Sequence, residues 1–213
     1  MNNNKTEPFK IEKPIIFVVE GLDDKAFIEE FLDFLKLKDN FQIKDCGGRD
    51  NIKQIIETLT KDANFNNVKY LIVLMDNDKN AESTKVLIKN IFKGNLLPCH
   101  VNPGEFITNS DGNLNCGYYV FPSQNEEGDL ETMLLKTYTD NSINRCVNNF
   151  IDCFTNNSAK FKITNKKKLQ AFIITSEKDS IKDLRTAVKA KHYDFNHEAF
   201  KELKEFLSKI QLD

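Results

Sequence analysis

The sequence has no tryptophan, only eight glycines and five prolines, and no C-x-x-C pair among its five cysteines. Cys46, Cys99, Cys116, Cys146 and Cys153 are odd in number and irregularly spaced. That argues against both a disulfide framework and a zinc ribbon, each of which needs paired thiols, and the cysteines read as reduced. Cys99-His100 with Cys116 lacks the matched spacing of a zinc site and reads as part of a hairpin. No stretch approaches the roughly 20 apolar residues of a membrane-spanning helix, and Met1 to Pro8 has no apolar centre of the kind a secretion signal carries. The expectation is a cytoplasmic protein with a short loose tail and no membrane contact. Charge of one sign is missing too: 30 basic residues stand against 32 acidic ones, a net charge of -2. The molecule as a whole is therefore not the basic body that binds nucleic acid without specificity, and a polyanion would have to be held by local basic patches and a metal. A G-x-x-x-x-G-K-[ST] loop is absent, so the chain is not itself a P-loop ATPase. There is no internal repeat and no long low-complexity linker. Seventeen phenylalanines beside zero tryptophan reflect compositional bias, from which no function follows.

With 213 residues, 40% of them hydrophobic, the chain is long enough to bury a full core, and one domain is the default. Pro14 to Val19 is a near-continuous apolar run, as expected of a parallel strand covered on both faces. Asp23 or Asp24 can cap a following helix whose apolar residues Phe27, Ile28, Phe31, Leu32 and Leu35 recur at helical spacing. A strand over 41–45, a Gly47-Gly48 turn and a helix from about Asp50 come next. Tyr70 to Met75 is the strongest strand signal in the chain, and a helix over about 81–92 follows it. Strand and helix alternate three times, which implies a parallel sheet with right-handed crossovers. Residues 95–124 read as short extended pieces around Pro103-Gly104 and Asp111-Gly112, with a strand over 118–121. A helix opens near Glu127 to Glu131, and the rest reads as helices over about 142–154, 166–174, 181–189 and 197–210. The expected organisation is a tail over 1–12, an α/β domain over 13–140 and a helical extension over 141–213 packed on it.

Ligands of open α/β sheets bind at the carboxyl ends of the strands. That edge would hold Glu20, Asp24, Asp76, Asp78 and Glu131. Like charges a few ångströms apart raise one another's pKa, and a divalent cation removes the conflict. Hard carboxylate oxygens suit magnesium or manganese. If the strand continues past Met75, Asp76 and Asp78 point to the same side and can face one ion while Asn77 points away.

Val18-Val19-Glu20-Gly21-Leu22-Asp23-Asp24, Leu74-Met75-Asp76-Asn77-Asp78 and Gly128-Asp129-Leu130-Glu131 together resemble the motifs of TOPRIM domains. That fold is shared by type IA topoisomerases, bacterial primases, small ribosomal-RNA maturases and the overcoming-lysogenization-defect (OLD) nucleases. The resemblance covers roughly Lys13 to Tyr138 and is nearest to short stand-alone TOPRIM-like proteins related to the OLD type. It implies a Rossmann-like fold with a mostly parallel central sheet flanked by helices. It further implies Glu20 as metal ligand or general base, Asp76 and Asp78 on a first Mg2+ or Mn2+ ion, and Asp24 and Glu131 helping with a second. OLD-like enzymes add a downstream lysine, for which Lys166, Lys167 and Lys168 are candidates. Lys168 is preferred for its place in the first helical turn after Thr164. The implied activity is phosphodiester hydrolysis on DNA or RNA by metal-activated water. The alternative is a TOPRIM module, non-catalytic or dependent on an ATPase partner, for example in phage defence or repair.

Plainer roles compete at several of these positions. Asp24 could be only a helix cap, Asp23 a cap or solvent residue, and Glu131 a partner of the helix dipole. Gly47-Gly48-Arg49 is better explained by a turn than by phosphate binding. Lys160, Lys162 and Lys166 to Lys168, with Phe161 and Phe172 between them, fit a nucleic-acid surface and a solvated helix face equally. His192 and His197 have no convincing partner, so no Cys–His or Ser–His–Asp arrangement can be assembled.

Overall fold

β1 (Ile15–Val19) has no polar residue, and all five of its side chains are buried. Ile15, Phe17 and Val19 enter one core, while Ile16 and Val18 enter the other, as the two-residue repeat of a strand covered on both sides requires. The computed structural model describes residues 9–77, 81–138, 142–157, 163–176 and 178–211. β2 (Phe41–Asp45), β3 (Tyr70–Asp76) and β5 (Asn115–Phe121) run parallel to β1, and β4 (Glu105–Thr108) lies antiparallel at the edge, in the order β2-β1-β3-β5-β4. This is the mixed, mostly parallel α/β sheet expected from the alternation of elements.

One face is covered by α1 (Leu22–Phe34), α4 (Leu130–Leu135), α6 (Asn165–Ile173), α7 (Leu184–Lys189) and α8 (Lys201–Leu207). α2 (Ile52–Thr60) and α3 (Ala81–Gly94) cover the other, where Ile11 also packs at 3% exposure. α5 (Ser142–Asn157) closes a small separate cluster of Val147, Ile151 and Phe172. The first core does not end near residue 140: Leu169, Leu184, Leu203 and Phe206 lie in the same cluster as Ile15 and Phe17. The phenylalanines that looked like compositional bias do structural work here. Phe27 and Phe31 of α1 meet Phe195 and Phe200, with the Phe31 and Phe195 ring centres 5.0 Å apart.

Several boundaries differ from the sequence-based expectation, among them the start of β5, at Asn115 rather than 118. α1 starts at Leu22 with Gly21 as its cap, not with Asp23 or Asp24, because the Asp24 carboxylate reaches back to the Gly21 N–H at 2.9 Å. α7 starts at Leu184, after Asp183 accepts a hydrogen bond from the Thr186 N–H at 2.8 Å. The final helix is a 3-10 turn over Glu198–Phe200 followed by α8. No helix among the described residues is long and apolar enough to cross a membrane.

β1 connects through α1 to β2 on one side, and the chain then crosses back to β3 on the other. The direction of winding therefore reverses between β1 and β3, and a crevice forms beyond the carboxyl ends of neighbouring strands at such a point. Glu20 and Asp76 stand there.

Candidate functional site

Val19 pairs with Leu74, so the ends of β1 and β3 lie side by side, and the Asp76 N–H donates to Glu20 Oε1 at 3.0 Å. The Leu130 N–H, at the start of α4, donates to Asp76 Oδ1 at 3.0 Å. A helix N-terminus thus faces the Asp76 carboxylate, a favourable placement for negative charge. Asp24, in the first turn of α1, is tied to Gly21. Each of these acids is oriented by a backbone N–H whose position follows from the sheet and the two helices.

Glu20, Asp24, Asp76 and Glu131 all line one cavity of about 530 Å3. Among the described residues, Asp23 and Asp45 raise its acids to six, and Lys166 and Arg185 are its two cations. Burial is the main reason that the Asp76 carboxyl is pushed up to about 9; Asp24, Glu20 and Glu131 add to this, and the Leu130 N–H pulls it back. Asp24 rises to about 7, again mainly by burial and also through Glu20, Glu131 and Asp23, against the Gly21 N–H. Glu131 is raised as well, burial leading, with Lys166 opposing. A cation placed among these groups would relieve the repulsion that raises them.

Among the described residues lining this cavity the metal-binding donors are carboxylate oxygens, with no thiol or imidazole, which fits Mg2+ or Mn2+ better than zinc. Among the described residues, no three His, Cys, Asp or Glu side chains form a group that could hold a metal ion as they stand. The carboxylates would have to turn inward from their N–H partners.

The G-x-L-E segment has a clear local cause. Gly128 has φ 144°, and a Cβ there would lie 2.6 Å from Thr132 Oγ1, so only glycine lets the chain enter α4 this way. Asp129 then caps α4 through the Thr132 N–H at 2.8 Å. Asn165 donates to Asp129 Oδ1 at 3.1 Å and to Thr132 Oγ1 at 2.8 Å, which latches the start of α6 to the start of α4. Lys166, the next residue, reaches the cavity and pairs with Asp23 at 2.7 Å. Arg185 of α7 joins the same carboxylate, its Nε 3.3 Å from Asp23 Oδ1.

Four of the six residues singled out from sequence therefore share the cavity. Lys168 does not line it; Lys166 does, because Asn165 sets the rotation of α6. Asp78 lies outside the described residues, as do Lys160, Phe161 and Lys162 of the basic run. Asn77 is fully buried, its Nδ2 donating to the Glu126 carbonyl at 2.7 Å. Gly47 and Gly48 line the cavity, but the Gly48 N–H is used by the Glu20 carbonyl at 2.8 Å, and their φ values of 65° and 131° mark a turn that needs glycine. Arg185, and Asp23 as its partner, were missed in the sequence. They lie more than 160 positions apart, and no local pattern links them.

A family model described as "Protein of unknown function (DUF3226)" matches residues 14–212. No curated protein matches the chain. Among solved structures, hypothetical protein PH0156 from Pyrococcus horikoshii OT3 aligns with a TM-score of 0.53 at 16% identity, over 93% of this chain and 95% of that one. That likeness speaks to the fold alone. The C-terminal region of the OLD protein of Xanthomonas campestris pv. campestris aligns at a TM-score of 0.41 and 14% identity, over 85% of this chain and 98% of that one.

Proposed function

The chain belongs to the DUF3226 family, whose description leaves its activity open, and we propose from the site itself that it is a Mg2+- or Mn2+-dependent phosphodiester hydrolase of nucleic acid, built on a TOPRIM-like scheme. The observation that carries this reading is that Glu20, Asp24, Asp76 and Glu131, from three separate stretches of chain, meet on one cavity beside Lys166 and Arg185. The E-G-x-x-D, D-x-D and G-x-L-E motifs of the sequence support it.

Asp24, Asp76 and Glu131, with Asp78 from the sequence motif, would hold the metal, and Glu20 would serve as a ligand or as the base. When bound, a divalent ion supplies charge neutralisation and a water acidic enough to attack phosphorus. Glu20, at the end of β1, is oriented by the Asp76 N–H and accepts the proton of the attacking water. Lys166 takes the lysine role for which Lys168 was preferred, and with Arg185 it orients the non-bridging phosphate oxygens. In the free protein both cations rest on Asp23. A cytoplasmic location accords with reduced cysteines and forms part of the same proposal.

The test is purified protein with magnesium or manganese on labelled single- and double-stranded DNA and RNA, beside Glu20→Ala. Cleavage that is lost in the variant supports hydrolysis. No cleavage, or equal cleavage by both proteins, overturns it. A second reading, a metal-holding module that acts only with an ATPase partner, draws on the apolar side chains that α5 leaves at the surface, among them Phe150 at 64% exposure. Under that reading the protein binds metal but cuts only when the ATPase is added.

A further inference from the structure

Of the acids that line the carboxylate cavity among the described residues, Asp23 is the one that forms ion pairs with its cations. Its Oδ2 lies 2.7 Å from Lys166 Nζ and its Oδ1 3.3 Å from Arg185 Nε, so each carboxylate oxygen carries one cation. Three helices meet at this point, with Asp23 in the first turn of α1, Lys166 in that of α6 and Arg185 in that of α7. The hydrogen bond from Lys166 to Asp23 leads the causes that raise the ammonium above the usual lysine range, so it stays charged across neutral pH.

Neither capping nor packing accounts for this contact. α1 begins at Gly21 with the Asp24 carboxylate reaching back to the Gly21 N–H, so Asp23 is not needed as a cap. The three helices are held by buried apolar residues, among them Phe27, Phe31, Leu169, Ile173, Leu184 and Val188. The ion pairs themselves are exposed, with 71% of the Lys166 side chain and 50% of the Arg185 side chain open to solvent, and pairs of this kind contribute little to folding. A cation in the first turn of α6 also stands at the positive end of the helix dipole, which opposes it. An anion in front of Lys166 offsets that opposition, and in the free protein Asp23 is that anion.

A phosphate would make the same contacts, since it too presents several charged oxygens to a lysine and an arginine. Lys166 Nζ and Arg185 Nε cannot serve Asp23 and a phosphate in full at the same time. We propose that Asp23 is an internal stand-in for the phosphate of a bound strand: it occupies both cations in the free protein, gives them up when the phosphate enters, and so sets the affinity of the site. The inference rests on the phosphate role given to Lys166 and Arg185 above. Exposed pairs break at little cost, so the exchange needs no movement of the helices. Free inorganic phosphate is the other source of the same chemistry.

Binding is measured in EDTA, so that hydrolysis plays no part and a failure of catalysis cannot be mistaken for a failure of this exchange. The full chain, Asp23→Asn and Asp45→Asn are each titrated with a labelled single-stranded oligonucleotide and with inorganic phosphate. Asp23→Asn is expected to bind the strand about tenfold more tightly than the unaltered chain, because two pairs, each worth roughly two- to fivefold, no longer have to be broken. Its melting temperature should stay unchanged. Asp45→Asn removes the same charge from the same cavity, but Asp45 forms no ion pair with either cation, and the gain there should be no more than about twofold in screening salt. Adding Lys166→Ala to Asp23→Asn should remove most of the gain, as expected of groups that act on each other directly. Equal or weaker strand binding by Asp23→Asn overturns the proposal, and with a lower melting temperature it makes Asp23 a strut between the helices. An equal gain from Asp45→Asn, or a gain that survives Lys166→Ala, overturns it as well. Tighter binding of inorganic phosphate without tighter binding of the strand would assign the exchange to free phosphate and overturn the strand.

Discussion

Val19 and Glu20 are neighbours in the chain, as are Met75 and Asp76, yet each pair divides between opposite environments. Val19, Leu74 and Met75 are sealed between helices at 0 to 1% exposure. One residue further on, the chain presents carboxylates to a cavity in which Asp76 rises to about 9 and Asp24 to about 7. The sheet gains stability by removing apolar surface from water, whereas the rim loses it by desolvating and crowding like charges. The rim is therefore not explained by stability, and the layer beneath supplies what the rim costs. Such a site is a candidate for chemistry on physical grounds.

Breaking the rim should have the largest effect on activity and none on the fold. Asp76→Ala or Glu20→Ala should reduce calorimetric metal binding and strand cleavage by more than about 100-fold, since disturbing only the partner of a metal ligand already costs about 10- to 100-fold. Circular dichroism should show the native fold intact. Breaking the layer beneath should do the reverse. Leu74→Ala should destabilise the chain by about 2 to 5 kcal/mol in urea unfolding, while the fraction still folded keeps its metal affinity.

The comparison sharpens with pH. Asp24 and Asp76 are raised in the folded state, so between pH 4 and their folded values the native protein binds more protons than the unfolded chain. Metal-free stability should therefore fall as pH rises from about 4 toward about 7 for Asp24 and about 9 for Asp76, by at most about 1.4 kcal/mol per group per pH unit. Melting curves of Asp76→Asn should lose the decline above pH 7. Added magnesium should remove it in the wild type, because the ion binds the charged form. The smallest effect separates two lysines. Lys166→Ala should slow cleavage about tenfold, near the worth of one charge-assisted hydrogen bond, and Lys168→Ala less than about twofold, as judged by single-turnover rates.

Much of the rim could be read in advance because it is written locally. An apolar run that ends in an acid is a buried strand with a charged end whatever lies far away, and this identified Glu20 and Asp76. The strand over 41–45 also lies where it was expected, although it is no apolar run and only Ile43 of it is buried. Asp24 was visible as an acid near a helix start, but its bond to Gly21 depended on where α1 began, which a one-residue change in the cap decides. Lys166 was one of three adjacent lysines. The choice among them follows from Asn165 binding Asp129 and Thr132, a contact across more than 30 residues. Arg185 had no local signal. It reaches Asp23 only because α7 packs against α1, through apolar residues that any amphipathic helix would show.

The sequence by itself determined where β1, β2 and β3 lie, that acids stand at the carboxyl ends of β1 and β3, and that the winding is α/β, because period-two and period-3.6 patterns and glycine turns act over a few residues. Tertiary packing alone decided that the C-terminal helices share the core of the sheet and that Lys166 and Arg185 come to the acids. Those outcomes depend on which apolar faces meet across long stretches of chain, and an apolar face carries no address for its partner.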